Sequence, residues 1–585
     1  MERKEILISD MRKAVSESCY SDARVADRWT AIPYSTAEID GVMLQASRFM
    51  QVSELVIDPA LCGYSEIRVG MYVAPQFVRN DLRAAQIMLS GDETFYSVQP
   101  SSFNSNHKIE EFAYRVADLT GKKIIIRHPQ SIPDMGADTS LAFIKFIPLG
   151  EAEVQARMSE FSDKKKKRIF ATEDTHRFMF FNNVKSREEW LSIPDAYVNS
   201  DVESLSIEYM KWCDGEIKGD ASKFVFERIG DKYVYDALRK YILCEDDIYP
   251  MLIERGHKNG LKMYLSLRVG PWNMEYPFTG YSFDNKFTLA HPQYKCIDRD
   301  GTEINRMSYA YPEVRAYMLG HIRKMLSYGA DGISLILTRG TPLVLFEQPI
   351  LDLFEKRYPG IDCRTLKNED PRLISVRAEI ITAYMREVRA MIDSFGVGKD
   401  LNVHVHTSFK DNLYYGLDVE GWIKEGLVNK IIVNNDYHWE NLDDSVFSDP
   451  EKQTIDLEKY AKWANEAPEI ITARNVYGHL IPKEAIAEYL NAVKGTKIRV
   501  FCDLQKNTAE LAKEEAVRLL DAGIEDFCIW DTYEYQPQTR LWHFLSRLGH
   551  VDEIRDFDIK KYVKLHRVNI MDGMQVGRYC PWWGG

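Results

Sequence analysis

From His176 onward the chain repeats one pattern: a short apolar run, a polar break and loop, then a segment whose apolar residues recur every three to four positions. The runs are Arg177–Phe181, Ser204–Tyr209, Leu261–Val269, Gly332–Leu337, Asn402–His406, Lys430–Val433, Lys497–Cys502 and Asp526–Trp530. Helical periods fall between most of them, at Asp246–Lys258, Glu313–Tyr328, Leu373–Phe395 and Ala509–Ala522, two of these stopping at Gly329 and Gly523. Strands that alternate with helices imply parallel βαβ units, and eight of them favour closure into a (β/α)8 TIM barrel. The clearest unit is Asp331–Glu347, DGISLILTRGTPLVLFE. Its apolar run breaks at Thr-Arg-Gly-Thr-Pro and enters an aromatic-acidic loop, as a barrel strand does at its active end. A further apolar run at Glu469–Thr472 leaves the sixth and seventh units open.

Residues 1–165 have another texture. Short alternating or β-branched runs (Val42–Leu44, Glu54–Ile57, Glu66–Val73, Phe95–Gln99, Lys122–Ile126, Leu141–Pro148) are separated by Gly, Pro, Asn and Asp. This spacing predicts an antiparallel β-sandwich of jelly-roll type. Tyr114–His128 reads as a strand, a tight turn at Gly121 and the next strand. Such a domain serves either as a carbohydrate-binding module or as a lid packed on the barrel. Glu151–Thr175 reads as a charged, partly helical linker, 176–545 as the barrel and 546–585 as an extension packed on it. A length of 585 residues fits more than one domain.

The net charge of -13 argues against a nucleic-acid partner, because phosphate binding needs clustered cations. The basic run Lys164–Arg168 reads as a solvated linker. Nine scattered cysteines without a CxxC pair speak against a zinc module or a disulfide framework. The N-terminus lacks a signal-like apolar core and no long apolar run occurs, so a cytoplasmic location without membrane attachment is expected. GxGxxG after a strand, the P-loop motif, GxSxG and HExxH are all missing, and no cofactor is expected. The expected partners are a carbohydrate substrate and, in a homo-oligomer, further copies of the chain.

Polar residues collect where the runs end. Asn182 and Asn183 follow the first, Glu208 the second, and Arg268 and Trp272 the third. The fourth leads to Arg339 and Glu347, and the fifth carries His404 and His406 on one face. Asn434, Asn435, Asp436 and His438 follow the sixth, Asp503 and Gln505 the seventh, Asp531 and Glu534 the eighth. A glycosidase needs two carboxyl groups, one protonated as general acid and one acting as nucleophile or base. Glu347, Asp531, Glu208 and Glu534 are the candidates, Glu347 favoured by its apolar neighbours Leu343–Phe346, which would raise its pKa. Arg268, Trp272, Arg339, His404, His406, Asp436, His438, Asp503 and Gln505 would bind the sugar. Each has a plainer reading as well: Glu347 as a cap on the following helix, the arginines as partners of these acids, Trp272 as loop packing. His404, His406, Asp436 and His438 also suit a mononuclear metal site, although histidines inside barrels more often bond substrate hydroxyls or satisfy core polar groups.

HPQYKCIDRDGTEINRMSYAYPEVRAYMLGHIRKMLSYGADGISL (His291–Leu335) resembles the family-ten-like glycosyl hydrolase group, with its HPEW…DxxG loop and following helix–strand unit. RGTPLVLFEQP and GLDVEGWIKEGLVNKIIV (Gly416–Val433) are similar to that group too, over roughly 176–545. The sandwich and the RYxPxxGG tail match some long members. The resemblance implies a barrel and a carbohydrate-related function. The group's DGIxxD pattern meets Ile336 here, so no nucleophile carries over to the end of strand four. Three readings follow: a carboxylate glycoside hydrolase acting on a terminal sugar or oligosaccharide; a metal-dependent barrel hydrolase, lyase or epimerase; and a non-catalytic sugar-binding barrel.

Overall fold

The computed structural model describes residues 4–47, 50–73, 82–100, 108–129, 137–160, 162–182, 184–215, 229–270, 285–339, 341–434, 448–449, 454–455, 481–504, 509–530, 532 and 536–571. Its centre is a closed barrel of eight parallel strands, Ile169–Glu173, Val202–Glu208, Lys262–Arg268, Gly332–Ile336, Asp400–Val405, Lys430–Val433, Arg499–Asp503 and Phe527–Ile529, in that order around the ring. They are called strands one to eight below.

The barrel alternates strictly. Leu205, Ile207, Leu265, Leu267, Ile333, Leu335, Val403, Val405, Ile431 and Val433 point outward and merge with the surrounding helices into one buried cluster. Phe170, Tyr264, Ile432, Phe501 and Cys528 form a separate cluster inside the ring. By the two-residue period of a strand, Ser204, Ser206, Glu208, Ser266, Arg268, Ser334, Asn402 and His404 also face inward. The interior therefore holds an aromatic cluster and ends, on strands two, three and five, in Glu208, Arg268 and His404.

Seven strands fall on the runs expected of them, and strand one does not. Thr175–Phe181 is a helix, capped by Asp174, whose side chain accepts from the Arg177 amide at 3.1 Å. HRFMFF has no two-residue alternation, and a capping Asp before it fixes a helix start. The strand is IFATE (Ile169–Glu173), inside the stretch read as linker, where Glu151–Glu160 supplies a helix. The outer helices include Pro312–Ser327, Pro371–Asp393 and Ala509–Asp521; Gly329 and Gly523 follow two of them at φ +90° and +96°, a conformation that favours glycine. The run Glu469–Thr472 lies outside the described residues.

The N-terminal region, joined by one C-terminal strand, forms two packed and mainly antiparallel layers, a nine-stranded and a four-stranded sheet. Trp29, Leu44, Ile67, Val69 and Met71 of the larger sheet meet Leu55, Ile57, Ile87, Leu89, Ile124 and Ile126 of the smaller. Lys108–Asp118 and Ile124–Arg127 do flank a left-handed Gly121 (φ +66°). They belong to different sheets, so the turn crosses between layers and does not close a hairpin. The C-terminal segment touches the barrel through Phe557, which packs on Phe544. It then runs back as Val563–Met571, pairing antiparallel with both Lys108–Asp118 and Trp29–Thr36. The end of the chain thus fills the middle of the sheet that its beginning forms. A buried network locks it there: Glu111 bonds His566 at 2.8 Å, Arg68 at 2.6 Å and Lys145 at 3.1 Å. No described helix is long and apolar enough to cross a membrane.

Candidate active site

Among the described residues, the C-terminal ends of strands one to three bring Asp174, Glu208 and Arg268 together. Register places Thr172 beside Ser206, Glu208 beside Ser266, and Arg268 beside Ile336, which in turn lies beside His404. Arg268 reaches back across the rim. Its Nη2 donates to Asp174 Oδ2 at 2.9 Å and to Glu208 Oε2 at 3.3 Å, while its Nε lies 2.6 Å from Glu208 Oε1. Both carboxyl groups are buried. Burial pushes the Asp174 carboxyl up, but the Arg268 and His176 charges, a hydrogen bond shared with Glu208 and the Arg177 amide outweigh it. The net result lies well below the usual carboxylate range.

Asp174 was not among the residues expected at the site. Placing strand one too late in the chain hid it, although β-branched IFATE followed by an Asp before HRFMFF was a readable strand-then-cap signal. Glu173, equally unforeseen, sits just behind the rim. It accepts from Thr532 Oγ1 at 2.8 Å and from the Tyr197 hydroxyl and the Gln536 amide. Burial and this carboxylate together drive the Tyr197 hydroxyl far above its ordinary pKa, so it stays a donor.

The opposite arc of the mouth is, among the described residues, less charged. His404 is fully buried, its ring 4.8 Å from Trp530 and 5.9 Å from Phe170, both edge-on. Burial lowers its pKa to about 3 against a weaker opposing effect of Asn434, which keeps the imidazole neutral. His406 lies beyond the strand end, stacked on Tyr415 at 4.8 Å, and its amide donates to Asn412 Oδ1 at 2.9 Å. The two histidines therefore have separate surroundings in spite of their shared register. Arg339 is exposed, with its guanidinium 5.3 Å from the Trp530 ring centre. Asp503 closes strand seven and is partly buried. Among the described residues no group of three or more His, Cys, Asp or Glu is placed to hold a metal.

Glu347 has different company. It is fully buried, and its oxygens accept from the Leu345 amide at 2.9 and 3.0 Å and the Ile297 amide at 3.1 Å. Burial raises its pKa, as the apolar neighbours suggested, and these amides oppose the rise. Its carboxyl is thereby committed to tying the Lys295–Ile297 strand to the loop before helix Gln348–Arg357. Asn182 donates to Phe178 O at 3.0 Å at the end of helix Thr175–Phe181. Trp272, Asn183, Asn435, Asp436, His438, Gln505, Asp531 and Glu534 lie outside the described residues.

No protein-family model matches this chain, and no curated protein does. Among solved structures it is similar to the catalytic domain of a β-amylase from Paenibacillus polymyxa, at 8% identity over 65% of this chain and 98% of that one, with a TM-score of 0.39. It is similar to TtGalA, an α-galactosidase from Thermus thermophilus, at 11% identity over 88% and 94% of the two chains, TM-score 0.32. A ruminal endo-β-1,4-mannanase aligns at 10% identity over 96% and 97%, TM-score 0.30. With scores and identities this low, the chemistry has to be read from the residues of this chain.

Proposed function

We propose that the chain is a glycoside hydrolase whose reaction centre is the mouth of the barrel. One observation carries the reading: Asp174 and Glu208, from adjacent strand ends on the inner face, share one arginine. Two carboxyl groups gathered on one guanidinium repel each other when both are ionised, and the proposal assigns a proton to one of them. Arg268 and the Arg177 amide favour the anion on Asp174. In this proposal Glu208 carries the proton, donates it to the glycosidic oxygen as the bond breaks, and has Asp174 as its electrostatic partner.

The second carboxylate has to sit on the other side of the bond. Asp503, inward-facing on strand seven, takes that part as nucleophile or as base for water, with Asp531 and Glu534, which follow strand eight in the sequence, as further candidates. His404, neutral and buried, would meet a sugar hydroxyl, and the Trp530–Arg339 pair would border the ring. Glu347 has a structural part in this reading, because its acceptor capacity is spent on loop amides.

Turnover of a panel of chromogenic glycosides and oligosaccharides tests the proposal, with the chain compared against Glu208→Gln and Asp503→Asn. Loss of general acid–base help should lower kcat/KM by about 10²–10⁴ in each. Both variants retaining activity within a few-fold, or no turnover of any glycoside by the unaltered chain, would remove the assignment.

A further inference from the structure

The four-stranded sheet of the sandwich faces the barrel across a gap. Phe95, Ser97 and Arg127 on the sandwich side and Phe178, Asn182 and Gln536 on the barrel side line a cavity of about 280 Å³. Cavities of this order at the seam between domains are where small ligands are usually held.

Its chemistry narrows the ligand. Three of the four acids that line it are already engaged: Asp92 pairs with Arg115 at 2.7 Å, Glu93 with Arg255, and Glu189 accepts from the Lys185 amide at 2.9 Å, Glu188 being the fourth. A cation would find no uncommitted partner among these three. Arg127 is held differently. Its Nε donates to Gln86 Oε1 at 2.6 Å and its guanidinium lies 4.1 Å from the Phe95 ring centre. Among the described residues it has no ion pair, which leaves its terminal N–H groups for another acceptor. Aromatic surface from Phe95 and Phe178, next to amide, hydroxyl and guanidinium groups, matches a ring with one apolar face and a rim of hydroxyls. A neutral sugar unit has that form.

The cavity wall also reaches the barrel rim. Phe178 belongs to the helix that Asp174 caps, and Asn182 ends it. Gln536 donates to Glu173 and, at 2.7 Å, to the Tyr197 hydroxyl. We infer that this seam is a second glycan-binding site, taking one neutral glycosyl unit of an oligosaccharide between sandwich and barrel. The inference rests on the saccharide reading of the mouth and assigns the sandwich a binding role.

The test is calorimetric titration of the full chain with maltohexaose, cellohexaose and mannohexaose, repeated on Arg127→Ala and Ser97→Trp. The unaltered chain should bind at least one of the three. Arg127→Ala should weaken that binding about tenfold or more, as loss of a charged hydrogen-bond donor does. Ser97→Trp, which fills the cavity, should abolish it. Turnover of a chromogenic monoglycoside, too short to reach the seam, should stay within about twofold in both. Unchanged oligosaccharide binding in Arg127→Ala overturns the inference and leaves the mouth untouched, and this variant decides if Ser97→Trp does not fold. Monoglycoside turnover without binding of any hexaose overturns it as well. Neither turnover nor binding would take down the saccharide reading together with it.

Discussion

Replacing Arg268 by methionine is the sharpest test of the rim, because the guanidinium contacts two buried carboxyl groups at once. The side chain of Arg268 is 23% exposed, against 7% for Asp174 and 5% for Glu208. Breaking a buried pair by removing one partner typically costs about 3–5 kcal/mol, because a charge is left without compensation. The pH dependence distinguishes this cause from simple loss of packing. In the intact protein the Asp174 pKa is lower folded than unfolded, where it is about 3.9. Its stabilising contribution is therefore complete above roughly pH 4 and is lost as the pH falls toward the folded value. Without Arg268, the largest of the effects that oppose burial is gone and the folded pKa moves upward. The variant then gains stability relative to the unfolded chain as Asp174 takes up a proton. Urea denaturation of both proteins should show a difference of about 3–5 kcal/mol at pH 7 that shrinks steadily toward pH 4.5. A difference below about 1 kcal/mol, or one that does not change with pH, would refute the clamp.

Glu347→Gln should destabilise the fold by about 1–3 kcal/mol, since a carboxylate accepting from amides is replaced by a group that also carries donors. Glycoside turnover should remain within a few-fold, and a larger fall would return Glu347 to the chemistry. Gly332→Ala sets a Cβ 2.1 Å from Asp400 O, a backbone atom that cannot swing away. Denaturation should show a loss of about 1–3 kcal/mol or more, and a neutral result would contradict the tight contact of strands four and five. Deleting residues after Tyr562 removes Val563–Met571 and exposes the edges of Trp29–Thr36 and Lys108–Asp118. Aggregation during expression is the expected outcome, and a soluble truncated chain that melts at the parent temperature would show the strand to be dispensable.

Local patterning was enough for the barrel. Runs such as SLSIE, YLSLR and NVHV alternate every two residues, which signals a strand whatever surrounds it, and the helices between them force parallel order. The same alternation made Glu208, Arg268 and His404 legible as strand-end residues, and texture alone separated the sandwich from the barrel. IFATE lies next to a lysine run and a charged helix, and there composition masked the strand and its following Asp174. Packing decided the rest. Glu347 stands among apolar residues in the sequence, but only folding brings the Ile297 amide, fifty positions away, onto its oxygen. His404 and His406 look equivalent two residues apart, yet one ends inside the ring against Trp530 and the other beyond the strand end against Tyr415. Val563–Met571 carries no mark of its partners, because a strand's hydrogen-bonding edge is the same backbone whichever neighbour it finds. What the amino acids spell out is each element and the face it buries; which distant groups share a charge, an amide or a cavity depends on how those elements close around one another.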